Sequence, residues 1–257
     1  MDSTIKKIIF FLFIISATNA QWEYETATII DKGRKEIGIF SPFRVGLQNG
    51  MELSINKFII MPTISIKQSR SSFNKWSMAQ KLQLSYPSLG MKWLQSPLGN
   101  ELGDPNMFAL ISPEFNIPQM ISIYGELIAT SGSNQKGRLT LNAGAGFSIN
   151  GKSLTDEATI DLPIAYPRLS VYFNGLLLKL GGEYYKRINE KLFYVIDYDM
   201  FLMPNGRGRY AFEHKSALIW LKNKRFRALL GYKLIAGEYP FGTQAHLLPV
   251  LDFQFGW

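Results

Sequence analysis

The 257-residue chain contains no cysteine and only two histidines. Without cysteine it can form neither disulfides nor thiolate metal sites, so its stability must come from burial and backbone hydrogen bonds. Two histidines also exclude any metal site that needs three histidine ligands from one chain. The composition therefore predicts neither a metal nor a cofactor.

Long apolar runs are also missing, except near the start of the chain. Two lysines precede the apolar stretch 8–15, and small residues at 18–20 offer a cleavage site. That stretch is far shorter than the roughly 20 apolar residues of a spanning helix. We therefore predict a signal peptide over 1–20, a polar leader, disordered or plug-like, over 21–34, and one domain over 35–257.

Acidic residues are scarce relative to basic ones: 20 Asp and Glu stand against 28 Lys and Arg, which gives a formal net charge of +8. An exported basic protein rarely meets nucleic acid. An anionic surface, such as lipopolysaccharide among outer-membrane lipids, fits the excess positive charge better. We expect these lipids as partners, and no nucleic acid.

The rest of the chain is dominated by alternation of apolar and polar residues. In 139–149 every second residue is Leu, Ala, Phe or Ile, and the residues between them are Thr, Asn, Gly or Ser; 192–202 alternates in a similar way. A period of two over about ten residues indicates a strand with one apolar face. Turn sequences such as those at 48–50 and 204–208 separate these segments. We predict about 12 strands.

Strand length helps to decide which face of these strands is wet. Strands in a soluble sandwich are short, whereas strands that cross a membrane need about 9–11 residues and turn their apolar face to lipid. Several segments here reach that length. Tyr166, Tyr184, Tyr194 and Phe226 lie near strand ends on the apolar face, as an interfacial girdle requires. We predict an all-β fold, a transmembrane antiparallel up-and-down β-barrel, with a secreted soluble β-sandwich that acts as a binding module as the alternative.

The chain ends in "HLLPVLDFQFGW", in which Phe253, Phe255 and Trp257 share one face. This ending resembles the C-terminal recognition signal of Gram-negative outer-membrane β-barrels, with Trp257 where that family most often has Phe. In the family the last strand is read by the barrel-assembly machinery and then pairs with the first strand. The resemblance covers 35–257 and implies the cell outer membrane as the location and the assembly machinery as a partner.

Alternation also predicts which charged residues face the lumen of such a barrel. These residues could pair across a narrow bore and plug it, or line a water-filled path, and the sequence leaves both possibilities open. The predicted function is accordingly a channel or transporter for small solutes, or a structural barrel without a substrate. The predicted lumen-lining residues are Arg44, Lys67, Arg138, Glu183, Asp197, Asp199, Arg225, Arg227 and Lys233.

One pair of residues points to a different chemistry. His214 and Ser216 are two apart, so both side chains lie on the same face of a strand. The pair resembles that of outer-membrane lipid A deacylases and, more loosely, of outer-membrane phospholipase A, in which the histidine activates the serine for attack on a lipid ester. The following strand offers Asn223 but no acid at a suitable depth. Lipid hydrolysis therefore remains an alternative to a passive channel.

Overall fold

The computed structural model describes residues 26–58, 60–95, 116–133, 135–150, 165–204, 208–239 and 242–257. They form a closed antiparallel barrel of twelve strands, in which each strand pairs with its neighbours in sequence and the first pairs with the last. The fold class and the strand number predicted from the sequence are confirmed. The strands are β1 (Lys35–Gly38), β2 (Phe43–Gly46), β3 (Met51–Asn56), β4 (Thr63–Phe73), β5 (Trp76–Ser85), β6 (Ser122–Ser133), β7 (Gly137–Ser148), β8 (Leu176–Arg187), β9 (Leu192–Leu202), β10 (Tyr210–Asn223), β11 (Phe226–Tyr239) and β12 (Gly242–Gly256).

Within the described residues two helices interrupt this alternation, and the sequence did not predict them. Helix α1 (Pro87–Gln95) follows β5, and helix α2 (Tyr166–Asn174) precedes β8. A proline in the first turn of α2 suits a helix start, and Gly175 ends the helix in the left-handed conformation at φ 77. Among the described residues, no helix is long and apolar enough to cross a membrane.

Successive strands run in opposite directions, so every connection between strands lies at one of the two ends of the barrel. The long connections 86–121 and 149–175, which contain α1 and α2, leave the barrel at the same end. The turns that follow β2, β4, β6, β8 and β10 lie at the other end, together with the start of β1 and the end of β12. We call these the loop end and the turn end.

The outside of the barrel is apolar. Leu82, Leu127 and Leu230 point outward and are 60%, 61% and 63% exposed, and they belong to a much larger set of exposed Leu, Ile, Phe, Trp and Tyr side chains. A soluble monomer does not expose an apolar surface that encircles it. Lipid must cover this surface, so the barrel is a transmembrane one. This arrangement disfavours the soluble sandwich.

The inward faces of most strands are polar, and one part of the wall is apolar. Inward residues of β4 to β8 include buried Lys67, Lys81, Glu126 and Lys179, and the glycine at 181 gives room to the side chains of neighbouring strands. We call this the polar side of the lumen. On the opposite wall, near the turn end, an apolar cluster fills the interior with Phe193, Val195, Ala217, Ile219, Leu229 and Val250.

A second apolar cluster fills the loop end. Residues of α2 pack there against Phe58, Met91 and Met120 from three other segments. Tyr166 belongs to this cluster and is fully buried, so the prediction that it contributes to an interfacial girdle is wrong. It lies in a helix that folds into the barrel mouth, where the alternation rule for strands does not apply.

The seam between β1 and β12 closes the barrel. Lys35 and Trp257 exchange backbone hydrogen bonds of 2.9 and 3.0 Å, Ile37 lies opposite Phe255, and the N–H of Ile39 donates to the carbonyl of Phe253 at 3.0 Å. Phe255 and Trp257 face outward. Because β1 has only four residues, the last residues of the chain make most of the bonds of this seam.

We predict that deletion of residues 255–257 abolishes barrel assembly. The deletion removes two outward aromatic side chains, each contributing roughly 1.5–3 kcal/mol on burial, and leaves backbone groups of β1 unpaired in lipid. We expect Trp257→Phe to assemble normally and Trp257→Asp to assemble poorly. Heat-modifiable gel mobility of membrane fractions measures assembly. Normal levels of folded truncated protein would show that this seam is dispensable.

Candidate functional site

The candidate site is the lumen, and most of the residues predicted to line it are on its inner wall. Arg225 is the exception: it lies in the turn between β10 and β11 and is exposed, because β11 begins only at Phe226. Alternation correctly placed Arg227 on the inner face, but it predicted a strand that begins before Phe226 and so included Arg225. The predicted residues on the inner wall are Arg44, Lys67, Arg138, Glu183, Asp197, Asp199, Arg227 and Lys233.

Near the loop end, one buried carboxylate holds two cations. Glu213 accepts two hydrogen bonds from the Arg168 guanidinium, at 2.6 and 2.8 Å, and its second oxygen is 2.8 Å from Lys233 Nζ. A paired fork of this kind is among the stronger side-chain interactions. Arg168 belongs to α2, so strand alternation could not reveal it as a lumen residue.

At mid-height the polar side carries a chain of ion pairs. Lys179 Nζ lies 3.4 Å from Glu126 and 3.1 Å from Asp199, and Glu126 is also 4.0 Å from Lys81. All four side chains are at most 7% exposed. Charges buried to this degree are tolerated in a protein interior only when they are paired.

A third group of charges lies at the turn end. Arg44 forms a fork with Glu52 at 2.8 and 2.9 Å and also reaches Glu36 at 3.3 Å. Lys67 is 3.4 Å from Glu52, and Arg227 is 3.7 Å from Glu36. Ion pairs therefore run along the lumen from the turn end to the underside of α2.

Helix α2 lies across the mouth of the lumen. The Tyr172 hydroxyl hydrogen-bonds Ser122 of β6 at 2.8 Å, and the Tyr166 ring packs on Tyr239 of β11 at 4.8 Å. Burial raises the pKa of the Tyr172 hydroxyl above its ordinary range, so this group stays protonated. The helix thus spans the opening from one wall to the other.

A cavity of about 70 Å³ lies beneath α2. Arg168 of α2 forms part of its roof, and Lys81, Tyr124, Glu126 and Lys179 line its wall. Since a water molecule occupies about 30 Å³ of liquid volume, the cavity has room for only a few waters. Helix α2 and the apolar cluster around it cover the loop end of the lumen.

The residues of the His-x-Ser pair face outward and do not bond each other. His214 Nε2 lies 3.1 Å from the Tyr232 hydroxyl, and Ser216 donates to the Tyr194 hydroxyl at 3.1 Å. Asn223, the candidate orienting residue, ends β10, nine positions beyond His214. A serine that donates to a tyrosine is not activated by histidine. This geometry does not favour lipid hydrolysis.

The described ranges contain no group of three or more His, Cys, Asp or Glu side chains placed to hold a metal ion. The predicted leader falls partly within these ranges: residues 26–34 are described, and 26–31 lie inside the turn end of the barrel. The predicted signal peptide, 1–20, and the first leader residues, 21–25, lie outside them.

Solved structures with a related shape are porins and channels. The chain is 11% identical to a NanC porin, with a TM-score of 0.49, over 87% of this chain and 96% of that one. It is 9% identical to the outer membrane channel DcaP of Acinetobacter baumannii, with a TM-score of 0.35, over 84% of this chain and 61% of that one. No protein family and no curated protein matches. At such low similarity the closed ladder and the apolar exterior, not these neighbours, identify the chain as a transmembrane β-barrel.

We predict that Lys179→Met strongly destabilises the barrel, because it leaves Glu126 and Asp199 without their shared cation. Breaking a buried ion pair in this way costs about 3–5 kcal/mol. The matched control is Lys186→Met, an exposed lysine on the same strand, which should change stability little. Urea unfolding in detergent micelles measures both variants. Equal midpoints would show that the network at mid-height contributes nothing to stability.

Proposed function

We propose that this protein is an outer-membrane channel for small hydrophilic solutes and that its conformation in this structure is a closed one. The observation that carries the proposal is the column of ion pairs along the lumen, from Glu52 at the turn end to Glu213 beneath α2. The apolar exterior and the outward terminal aromatic residues support the outer membrane as its location.

The contents of the lumen favour a path over a purely structural barrel. Buried ion pairs are seldom more stabilising than apolar side chains of similar volume. The wall opposite the polar side shows that this barrel can fill its interior with apolar side chains such as Phe193, Ile219 and Leu229. The charges on β4 to β8 therefore need a reason other than stability, and a hydrophilic path supplies one.

Twelve strands leave room for such a path once the mouth is open. Barrels of eight strands are filled by their own side chains, and barrels of 16–18 strands enclose an aqueous channel. The closure at the loop end comes from α2, a nine-residue helix on a connection between strands and not a part of the wall. Gly175, in the left-handed conformation between α2 and β8, is a natural hinge.

The latch on α2 is the fork between Arg168 and Glu213. If the fork breaks, α2 keeps its apolar contacts but loses its charged anchor to the inner wall. Opening then requires only the separation of apolar surfaces and the loss of the hydrogen bond between Tyr172 and Ser122, so the open conformation becomes more populated. Wall residue Lys233 still neutralises Glu213 after the helix leaves.

We predict that Arg168→Ala increases the single-channel open probability of purified protein in planar bilayers by about tenfold or more, since a hydrogen bond to a charged group contributes about 1.5–3 kcal/mol. Lys186→Ala, on the outer side of β8, is the control and should match the unaltered protein. Gel mobility before and after heating verifies that both variants are folded.

Silence of every folded variant, at all voltages and with a range of small solutes, would contradict the channel proposal. It would favour a structural barrel. Fractionation tests the location separately: protein found free in the periplasm would contradict the outer membrane.

A further inference from the structure

The first described residues of the chain lie inside the lumen. Residues 26–31, which we call the leader strap, run along the inner wall at the turn end, from β2 to β6. Ala27 is buried in a small cluster with Ala79 of β5 and Ile128 of β6. The strap thus lies on the polar side of the lumen, at the end opposite to α2.

The wall binds the backbone of the strap. The N–H of Ala27 donates to Thr130 Oγ1 at 2.8 Å, and Lys67 Nζ donates to the carbonyls of Thr26 and Thr28 at 3.2 and 2.9 Å. Farther along, the N–H of Ile30 donates to a carboxylate oxygen of β3 at 3.3 Å. Acceptors and donors on the wall are therefore arranged for the N–H and C=O groups of an extended peptide.

Glycine at position 46 lets the strap approach β2 closely. A Cβ atom on Gly46 would collide with the carbonyl oxygens of Ile30 and Asp31. The backbone also bridges Gly46 to Gly33 through a hydrogen bond of 2.9 Å. At this point the backbone of the wall contacts the backbone of the strap directly, and no large side chain of β2 lies between them.

We propose that this inner wall is a binding site for an extended peptide and that the leader strap occupies it in cis. The site uses Thr130 as the acceptor for a peptide N–H, Lys67 as the donor to two peptide carbonyls, and the hollow between Ala79 and Ile128 for one small side chain. A soluble peptide with the same backbone pattern binds once the strap is displaced.

Peptide binding at this site does not depend on the proposed function; only the effect of binding on conduction rests on it. If the barrel is a channel, the strap closes the polar side at the turn end and a peptide bound in its place does the same. Occupancy itself does not require conduction, so peptide binding and conductance are measured separately.

The test displaces the strap in the full chain by Ala27→Asp, which places a charge in the hollow between Ala79 and Ile128. The matched control is Thr28→Asp, one residue away, whose side chain is exposed. The probe is a capped, fluorescently labelled peptide of residues 26–34, and anisotropy measures its binding to each barrel in detergent. We expect binding to Ala27→Asp at least about tenfold tighter than to the unaltered protein or the control.

A second change locates the bound peptide. Thr130→Val, added to Ala27→Asp, removes the acceptor for the peptide N–H and should weaken binding about fivefold, the effect of one hydrogen bond. Thr243→Val, an exposed threonine on β12, is the control and should leave the affinity unchanged. A chain that lacks 26–31 replaces Ala27→Asp if that variant does not fold.

Two results would overturn the site: equal peptide binding by Ala27→Asp and Thr28→Asp, or equal affinity with and without Thr130→Val. Peptide binding without conductance in any variant would leave the site in place and contradict only the channel. Conductance that rises in Ala27→Asp and falls when the peptide is added would support both.

Discussion

The structure depends on one constraint: a backbone N–H or C=O group that faces lipid must find its partner within the protein. A sheet with a free edge cannot satisfy that constraint, so β1 must pair with β12. The short β1 meets this demand through bonds that include the very last residue, Trp257. Closure then fixes which side of every strand faces lipid and which faces the lumen.

Closure also creates an interior that the chain has to fill. The barrel fills part of its interior with apolar side chains of the wall and much of the rest with ion pairs, and it adds segments that are not strands, among them α2 and the leader strap. The two segments lie at opposite ends of the lumen. The apolar cluster near the turn end is packed by side chains of the wall alone, whereas the ends of the lumen are closed by parts of the chain that the wall does not require.

Much of this could be predicted from the sequence, for a physical reason. A strand that separates lipid from a polar lumen must alternate, and the alternation identified the barrel, its strand number and inner residues such as Lys67 and Asp199. Alternation does not locate the end of a strand, as at Arg225, because the phase of the pattern carries no information about the length of the strand.

The remaining features follow from contacts that leave no periodic pattern. Helix α2 has nine residues, almost all buried, so it shows no polar face that would reveal a helix or mark Arg168 as a lumen residue. The leader strap is bound through its backbone, so its side chains carry little information about its position. The one sequence signal at that contact is Gly46, which is informative only once the strap is seen beside it.

The two closing segments, α2 and the leader strap, are held in a similar way, and either can withdraw without leaving a buried charge unpaired. Each ends on a buried carboxylate that also holds a cation of the wall: Glu213 binds Arg168 of α2 but keeps Lys233, and Glu52 accepts the N–H of Ile30 but keeps Arg44. When α2 or the strap withdraws, neither carboxylate is left as an uncompensated buried charge, the situation that destabilises proteins most. Because each carboxylate keeps a cation of the wall, either segment can move while the barrel stays folded.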